Sequence, residues 1–170
     1  LETLPQVPGR VERIEVKSGT FCIIDYAHSP DALEKVLLAL KDVTLGKIWA
    51  VFGLGGERYE ENRPAMGKIA ATLADRIVLT MDNPRSEPPE KIAEQIAEGI
   101  EAIDDHPPYM TILDRKKAIF NALDHAEEGD VVMVGGKGPE TYMIIGNQTL
   151  HYNDKETVHD WISSHREGKR

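Results

Sequence analysis

The chain has 170 residues, of which 41% are hydrophobic, so it is long enough for one domain with a packed core. Its 29 acidic residues outnumber its 20 basic residues, and the net charge of −9 argues against a nucleic-acid-binding surface, although a few arginines can still hold a small anion. The single cysteine, Cys22, excludes a disulfide framework within the chain and a cysteine-based metal site, and its apolar neighbours predict a buried side chain.

The sequence shows no signal peptide and no apolar stretch long enough to span a membrane. We therefore expect a cytoplasmic protein without membrane insertion. Because the chain begins at Leu1 rather than at a methionine, we also expect a fragment of something longer.

From the N terminus, the sequence predicts a hairpin and then an alternation of helices and strands. Short apolar runs between turn residues are typical of strands, and apolar residues at helical spacing after a proline or a capping side chain are typical of helices. In order, the first half predicts strands 11–16 and 20–25 around Ser18-Gly19, a helix from Ser29-Pro30 through Leu40, strand 47–52, a helix from Pro64 through Leu73, and strand 76–80.

The second half continues this alternation. It predicts a helix from Pro88-Pro89 through Ile103, strand 109–113, a helix capped by Asp114 and ended by Gly129, strand 131–134, hairpin strands 142–145 and 149–152, a helix carrying Val158, Trp161 and Ile162, and a frayed tail over 165–170. Such a pattern is typical of an α/β fold. We predict a single domain over 1–170, with a Rossmann-like, mostly parallel sheet, helices on both faces and an N-terminal hairpin.

Polar or glycine-rich clusters follow four of the predicted strands. Ligands of open α/β sheets bind beyond the carboxyl ends of the strands, where parallel strands present one common edge. The clusters are therefore expected to share a site. They are Asp25-Tyr26-Ala27-His28, Gly53-Leu54-Gly55-Gly56-Glu57-Arg58, Asp82-Asn83-Pro84-Arg85 and Gly136-Lys137-Gly138-Pro139-Glu140.

Each cluster also has a purely structural interpretation. Asp25 and His28 suit a turn before a helix, the glycines suit a tight strand-to-helix connection, and Glu140 suits a solvated loop. Pro84, however, stiffens the turn before Arg85, and an arginine held in this way can bind a carboxylate through two parallel hydrogen bonds.

The glycine-rich segments match neither common nucleotide fingerprint. Neither G-x-G-x-x-G nor G-x-x-x-x-G-K-[ST] occurs, although Gly136-Lys137-Gly138 resembles part of a phosphate loop. Nucleotide-hydrolysing enzymes of the usual kind need such a loop with a magnesium-binding hydroxyl. If this chain takes part in ATP chemistry, another domain must hold the phosphates.

The four clusters occur in the same order as the motifs of Mur ligases, and from about residue 5 to 162 the chain resembles the C-terminal domain of that family. Gly9-Arg10-Val11-Glu12 resembles the hinge where that domain begins, and Asp82-Asn83-Pro84-Arg85 resembles the form found in members that add meso-diaminopimelate. The resemblance implies two further domains outside this chain, one for the UDP-sugar and one with the phosphate loop.

The resemblance also implies a reaction. Mur ligases are ATP-dependent enzymes of peptidoglycan synthesis, and this branch activates the carboxylate of UDP-N-acetylmuramoyl-L-alanyl-D-glutamate as an acyl phosphate, which the amine of the amino acid attacks. Mg²⁺ and the ATP phosphates would be held mostly by the central domain. The chain alone is therefore expected to be inactive, and the sequence does not identify a general base.

Carried over onto this sequence, the family pattern implies two groups of site residues. Arg10, Asp25 and His28 would contact ATP. The amino-acid substrate would be held by Arg58, Asp82, Asn83, Arg85, Gly136 and Glu140.

Within this resemblance, Arg85 is the residue that indicates which amino acid is added. Diaminopimelate is lysine with an extra carboxylate on its distal carbon, which the guanidinium of Arg85 can bind, whereas lysine would leave it unpaired. Asp82 and Glu140 suit the distal ammonium. Pro139 stands where many members that add diaminopimelate have histidine.

Two alternatives remain open. One is another ligase of the same superfamily, of the lysine-adding, folylpolyglutamate-synthetase or cyanophycin-synthetase type. The other is a nonenzymatic Rossmann-type module that binds a small anion at the same crevice.

Overall fold

The computed structural model describes residues 11–167, so the predicted ATP contact Arg10 lies outside the described residues. The described chain forms a six-stranded sheet and a separate two-stranded sheet, with five helices. In chain order the elements are β1 (Glu12–Lys17), β2 (Thr20–Asp25), α1 (Pro30–Val43), β3 (Ile48–Phe52), α2 (Asn62–Leu73), β4 (Arg76–Leu79), α3 (Pro89–Glu101), β5 (Tyr109–Thr111), α4 (Arg115–His125), β6 (Val131–Gly135), β7 (Tyr142–Ile145), β8 (Gln148–His151) and α5 (Asp154–Glu167).

The predicted α/β fold with a mostly parallel sheet is confirmed. The strand order is β1-β2-β6-β3-β4-β5, and only β1, which forms the predicted hairpin with β2, is antiparallel to its neighbour. Gly135 pairs with both Asp25 and Phe52, and Phe52 pairs in turn with Leu79. The carboxyl ends of β2, β6, β3 and β4 are therefore level, which brings the four loops after them to one edge.

The core has two layers because successive strand residues face opposite sides of the sheet. On one side Ile23 and Phe52 pack in a cluster with α1, α2 and α3, and on the other Cys22 and Val51 pack in a cluster with α4 and α5. Cys22 is fully buried as predicted, and this burial raises the pKa of its thiol.

The predicted caps form, but one helix begins earlier than expected. Ser29 accepts a hydrogen bond from the Ala32 N–H, and Asp114 accepts one from Lys117. α2 begins at Asn62 rather than at Pro64. Proline is tolerated in a first helical turn because the N–H groups there have no partner within the helix.

The C-terminal segment differs from the prediction. The tail over residues 165–170 was expected to fray; residues 165–167 continue α5, and residues 168–170 lie outside the described residues. The His165 ring stacks on Trp161 with centroids 3.9 Å apart, and its Nδ1 lies 2.8 Å from the Trp161 carbonyl oxygen. These contacts anchor the last turn. No helix within residues 11–167 has the length and apolar character needed to cross a membrane.

Candidate functional site

A cavity of about 210 Å³ opens at the carboxyl edge of the sheet. All six residues predicted to bind an amino acid line it, together with His28 from the predicted ATP group. Aromatic and polar neighbours that were not predicted complete the wall. The lining residues are Tyr26, His28, Leu54, Gly55, Arg58, Tyr59, Asn62, Asp82, Asn83, Arg85, Gly136, Glu140 and Tyr142.

Asp25 is placed differently from the other predicted residues. Its carboxylate oxygens accept hydrogen bonds from the Val11 and Ala27 N–H groups, each at 2.8 Å, and it does not line the cavity. In this structure its contacts are those of the turn interpretation. His28 is exposed, and its Nδ1 lies 2.7 Å from the Tyr26 carbonyl oxygen.

Arg85 is held by its backbone in an unusual conformation. Its φ of 54° is in the left-handed region, which residues other than glycine and asparagine rarely adopt. Its N–H donates to the Ile144 carbonyl at 3.1 Å, and its own carbonyl accepts from Gly146 at 2.7 Å. The β7–β8 hairpin therefore holds this residue in place. One guanidinium nitrogen, Nη1, donates to the Gly56 carbonyl at 3.0 Å, and within residues 11–167 Nε and Nη2 have no hydrogen-bond partner.

Lys137 lies beneath the cavity floor and is fully buried. Its Nζ donates to the Asn83 Oδ1 at 2.8 Å and to the Tyr142 carbonyl at 3.1 Å, and it lies 3.2 Å from the Asp82 Oδ1. Two of these contacts are hydrogen bonds and the third is an ion pair, so the ammonium is held by groups of the protein. Lys137 therefore differs from the lysine of a phosphate loop, because its ammonium faces acceptors of the protein.

Gly136 occupies a position that a larger residue could take only with backbone strain and a shift of Asp82. Its φ is +110°, and a Cβ at this position would lie 2.6 Å from the Asp82 Oδ2. Its N–H donates to the Asp25 carbonyl at 3.1 Å, which joins the loops after β6 and β2. The glycine thus lets Asp82 lie directly beneath the loop.

Glu140 is a cavity carboxylate whose surroundings raise its pKa. Desolvation by burial raises its pKa, the positive charge of Lys137 lowers it, and the negative charge of Asp82 raises it. Burial, together with the charge of Glu140, likewise raises the pKa of the Tyr26 phenol. A cationic ligand group near Glu140 would relieve this cost by stabilising the ionised carboxylate.

Arg63 supports the site from α2, although it was not predicted. Its side chain is fully buried and donates to both carboxylate oxygens of Glu87, at 3.0 and 2.9 Å, and to the Gly55 carbonyl at 3.3 Å. Glu87 also accepts a hydrogen bond from the Glu57 N–H, and the hydrogen bonds from Arg63, followed by that from Glu57, lower its pKa to about 2. This ion pair joins the loops after β3 and β4.

A second buried ion pair lies behind the cavity. Arg115 on α4 donates to both carboxylate oxygens of Asp154 on α5 at 2.8 Å. Its Nη1 and Nη2 also donate to the Met81 and Gly135 carbonyls, at 3.1 and 2.9 Å. The pair therefore connects the ends of β4 and β6 to both helices on one face.

Some of the cavity residues that the sequence analysis missed could have been identified from the sequence, and others could not. Tyr26 lies within a predicted cluster, and Tyr59 and Asn62 follow Arg58 closely, so proximity to a motif could have identified them. Tyr142 belongs to a hairpin whose position against the cavity follows only from the fold. Within residues 11–167 no group of three or more His, Cys, Asp or Glu side chains is arranged to bind a metal ion.

Comparison with known proteins gives a consistent result. Residues 9–138 match the family model described as Mur ligase, glutamate ligase domain. A UDP-N-acetylmuramoyl-L-alanyl-D-glutamate–2,6-diaminopimelate ligase from Clostridium acetobutylicum is 43% identical over 164 residues, covering 95% of this chain and 33% of that protein. The ligase of the same name from Ralstonia nicotianae is 47% identical over 161 residues, covering 93% and 31%.

Solved structures show the same similarity. A structure of a UDP-N-acetylmuramoyl-L-alanyl-D-glutamate–2,6-diaminopimelate ligase superimposes with a TM-score of 0.86 at 38% identity, over 96% of this chain and 33% of that one. A bifunctional folylpolyglutamate synthase/dihydrofolate synthase from Yersinia pestis shares the fold at 21% identity, with a TM-score of 0.61 over 94% of this chain and 31% of that one. The chain thus spans about a third of the length of the relatives that it matches.

Proposed function

This chain belongs to the Mur ligase family, and from that premise we propose that it is the amino-acid-binding C-terminal domain of an ATP-dependent ligase of peptidoglycan synthesis. The ligase would add meso-diaminopimelate to UDP-N-acetylmuramoyl-L-alanyl-D-glutamate in the cytoplasm. Two further domains, one for the UDP-sugar and one for the ATP phosphates, would complete the enzyme, since relatives of that name are about three times as long.

The observation that carries this proposal is the arrangement of charge in the cavity. Arg85 presents an unpaired edge of its guanidinium there, Arg58 adds a second positive charge, and Glu140 adds a half-buried carboxylate. Diaminopimelate carries a carboxylate and an amine at each end. Positive and negative groups that line one small cavity suit such a ligand. A half-buried arginine edge disfavours lysine, which would leave the arginine unpaired.

This domain would contribute to catalysis by positioning the amino acid. ATP supplies the activation of the dipeptide carboxylate as an acyl phosphate. Holding the amino acid by its distal end would orient its other amine toward that carbon, and such placement can contribute a large share of a rate enhancement. The attacking amine must be neutral, but none of the described side chains is assigned as its base.

The described residues would make only a minor contribution to ATP binding. His28 is exposed at the carboxyl edge of the sheet. Asp25 ends the strand just before it, but both of its carboxylate oxygens already accept hydrogen bonds from the backbone. No phosphate-loop sequence occurs in the chain. We propose that Arg10, Asp25 and His28 approach the nucleotide when the domains close, and that the central domain holds its phosphates and Mg²⁺.

The test is amino-acid-dependent phosphate release by the full-length ligase, with meso-diaminopimelate and L-lysine compared as substrates. Arg85→Ala is expected to lower kcat/KM for diaminopimelate by about 100-fold or more, because two hydrogen bonds between charged groups are lost. The rate with lysine should change far less. Arg76→Ala is the matched control, because Arg76 begins β4 at the opposite edge and its guanidinium donates to the neighbouring Asp75 carbonyl.

The outcomes separate the alternatives. An unchanged preference for diaminopimelate in Arg85→Ala would contradict the assignment of Arg85. Turnover of lysine or glutamate in preference to diaminopimelate would identify another ligase of the superfamily. No amino-acid-dependent phosphate release would favour a binding module, and turnover by the 170-residue chain alone would show that the missing domains are not needed.

A further inference from the structure

We infer that Lys137 is a positioning residue for the amino-acid substrate: it fixes the Asn83 amide so that its NH₂ group faces the ligand, and it neutralises Asp82 so that Glu140 alone receives the ligand's ammonium. This inference rests on the proposed function and deepens it. It also revises the expectation that Asp82 and Glu140 both bind the distal ammonium.

The first step concerns Lys137 itself. Its side chain is fully buried, and its ammonium is within hydrogen-bond distance of an amide oxygen, a carboxylate oxygen and a backbone carbonyl. A buried cation is retained only when it is paired and hydrogen-bonded. Because Lys137 is fully buried and does not line the cavity, its effect on the substrate must pass through its neighbours.

The second step concerns the orientation of Asn83. One atom of its amide receives donors from two sides, Nζ of Lys137 at 2.8 Å and the Ile144 N–H at 3.0 Å. Only the oxygen can accept both, because a flipped amide would set its NH₂ group against two donors. The NH₂ group has no partner within residues 11–167, and Asn83 lines the cavity. Asn83 therefore presents a donor, suited to a substrate carboxylate.

The third step concerns the two acidic side chains. Asp82 is 6% exposed, its Oδ1 lies 3.2 Å from the Lys137 ammonium, and its Oδ2 lies against Gly136. Its charge is thus offset within the protein. Glu140 is half-buried, and no cation among residues 11–167 lies within ion-pair distance of its carboxylate, although the charge of Lys137 reaches it at longer range. Of these two carboxylates, Glu140 is the one that gains a counter-charge when an ammonium enters.

The experiment compares two variants of the full-length ligase that share a neutral side chain at position 82: Asp82→Asn, and Asp82→Asn combined with Lys137→Met. Both lack the Asp82 charge, so any direct role of that charge cancels in the comparison. The double variant is expected to raise KM for the amino acid by about 10- to 100-fold over the single variant, since the Asn83 amide is released. KM for ATP should stay within about twofold.

Thermal unfolding separates positioning from folding. The double variant should unfold at or above the Tm of Asp82→Asn, because it no longer buries an unpaired ammonium. A double variant whose amino-acid KM equals that of the single variant would overturn the inference. So would an equal rise in KM for ATP and for the amino acid, which would indicate general damage.

A third variant tests the donor directly. Asn83→Asp keeps an oxygen for Lys137 and Ile144 but replaces the NH₂ group by a second oxygen, and it should raise the amino-acid KM at least as much. An unchanged KM would contradict the orientation argument. If the unaltered ligase uses an amino acid other than diaminopimelate, the proposed substrate is wrong, and the same comparison is made with that amino acid.

Discussion

At the residue scale, the site depends on the close approach of Gly136 to Asp82. Gly136 has φ of +110°, and a Cβ there would meet the Asp82 Oδ2 at 2.6 Å. Asp82 contacts Lys137, which in turn holds Asn83. A displacement of Asp82 is therefore passed on to the donor that faces the cavity.

Gly136→Ala is expected to affect both stability and binding. The strained backbone should cost about 1–3 kcal/mol of unfolding free energy, and the displaced carboxylate should raise KM for the amino acid. Denaturant unfolding and steady-state kinetics of the full-length ligase measure the two effects.

The matched control is Gly129→Ala. Gly129 also has a positive φ, +91°, but its nearest neighbours lie at 3.4 Å or beyond and it is at the opposite end of β6. The control should lose stability without a change in KM. If both variants left KM unchanged, the contact between Gly136 and Asp82 would not matter for binding.

At the scale of elements, α2 holds two site loops through one ion pair. Arg63 contacts Glu87, which lies in the same loop as Arg85, and it also contacts Gly55, which lies in the same loop as Arg58. Glu87 in turn accepts from the Glu57 N–H. The helix thus fixes the separation of the two arginine-bearing loops.

This ion pair predicts a pH-dependent stability. The pKa of Glu87 falls from 4.5 to about 2 in the folded chain, so its contribution is fully present above pH 4.5 and is lost as the pH falls toward 2. Glu87→Gln should lower the free energy of unfolding by about 2 kcal/mol at pH 7, because charged hydrogen bonds are lost. The difference between wild type and variant should shrink below pH 4.5.

Unfolding in urea between pH 3 and pH 7 measures this difference. Glu94→Gln is a suitable control, because Glu94 is exposed on neighbouring α3, and it should change stability little at either pH. A Glu87→Gln effect that is constant over this range would show that the charge of Glu87 contributes nothing.

At the scale of the whole molecule, the buried pair of Arg115 and Asp154 connects the sheet edge to the face formed by α4 and α5. Both side chains are fully buried, and Arg115 also caps the strand-end carbonyls of Met81 and Gly135. The carboxyl edge that carries the cavity is thereby fixed to the layer of helices behind it.

Removing one partner should therefore be costly. Arg115→Met leaves the Asp154 carboxylate buried without a counter-charge, and we expect a loss of about 3–5 kcal/mol in unfolding free energy. Adding Asp154→Leu should recover part of that loss. Equilibrium unfolding of the chain tests both variants.

A surface pair provides the comparison. Lys116 and Asp160 join the same two helices, with side chains 53% and 61% exposed, so Lys116→Met should cost less than about 1 kcal/mol. Equal losses for Arg115→Met and Lys116→Met would contradict the importance of burial.

The sequence alone was enough to predict the sheet, its covered faces and the common edge of four clusters. These features follow from periodic apolar residues and from residues that end each strand, which are local patterns. The same patterns placed Arg85, Asn83 and Glu140 correctly around one cavity. That α5 continues through residues 165–167 was not predicted, because the stacking of His165 on Trp161 is a contact that polarity does not reveal.

Only the tertiary structure decided which charges face the ligand and which face the protein. Lys137, Arg63 and Arg115 look like ordinary polar residues of loops and helices, yet each is buried against partners more than twenty residues away. Asp82 and Glu140 look equivalent in the sequence, but one contacts Lys137 and the other does not. The pairing of distant side chains depends on how loops meet across the sheet edge, and this geometry leaves no local pattern in the sequence.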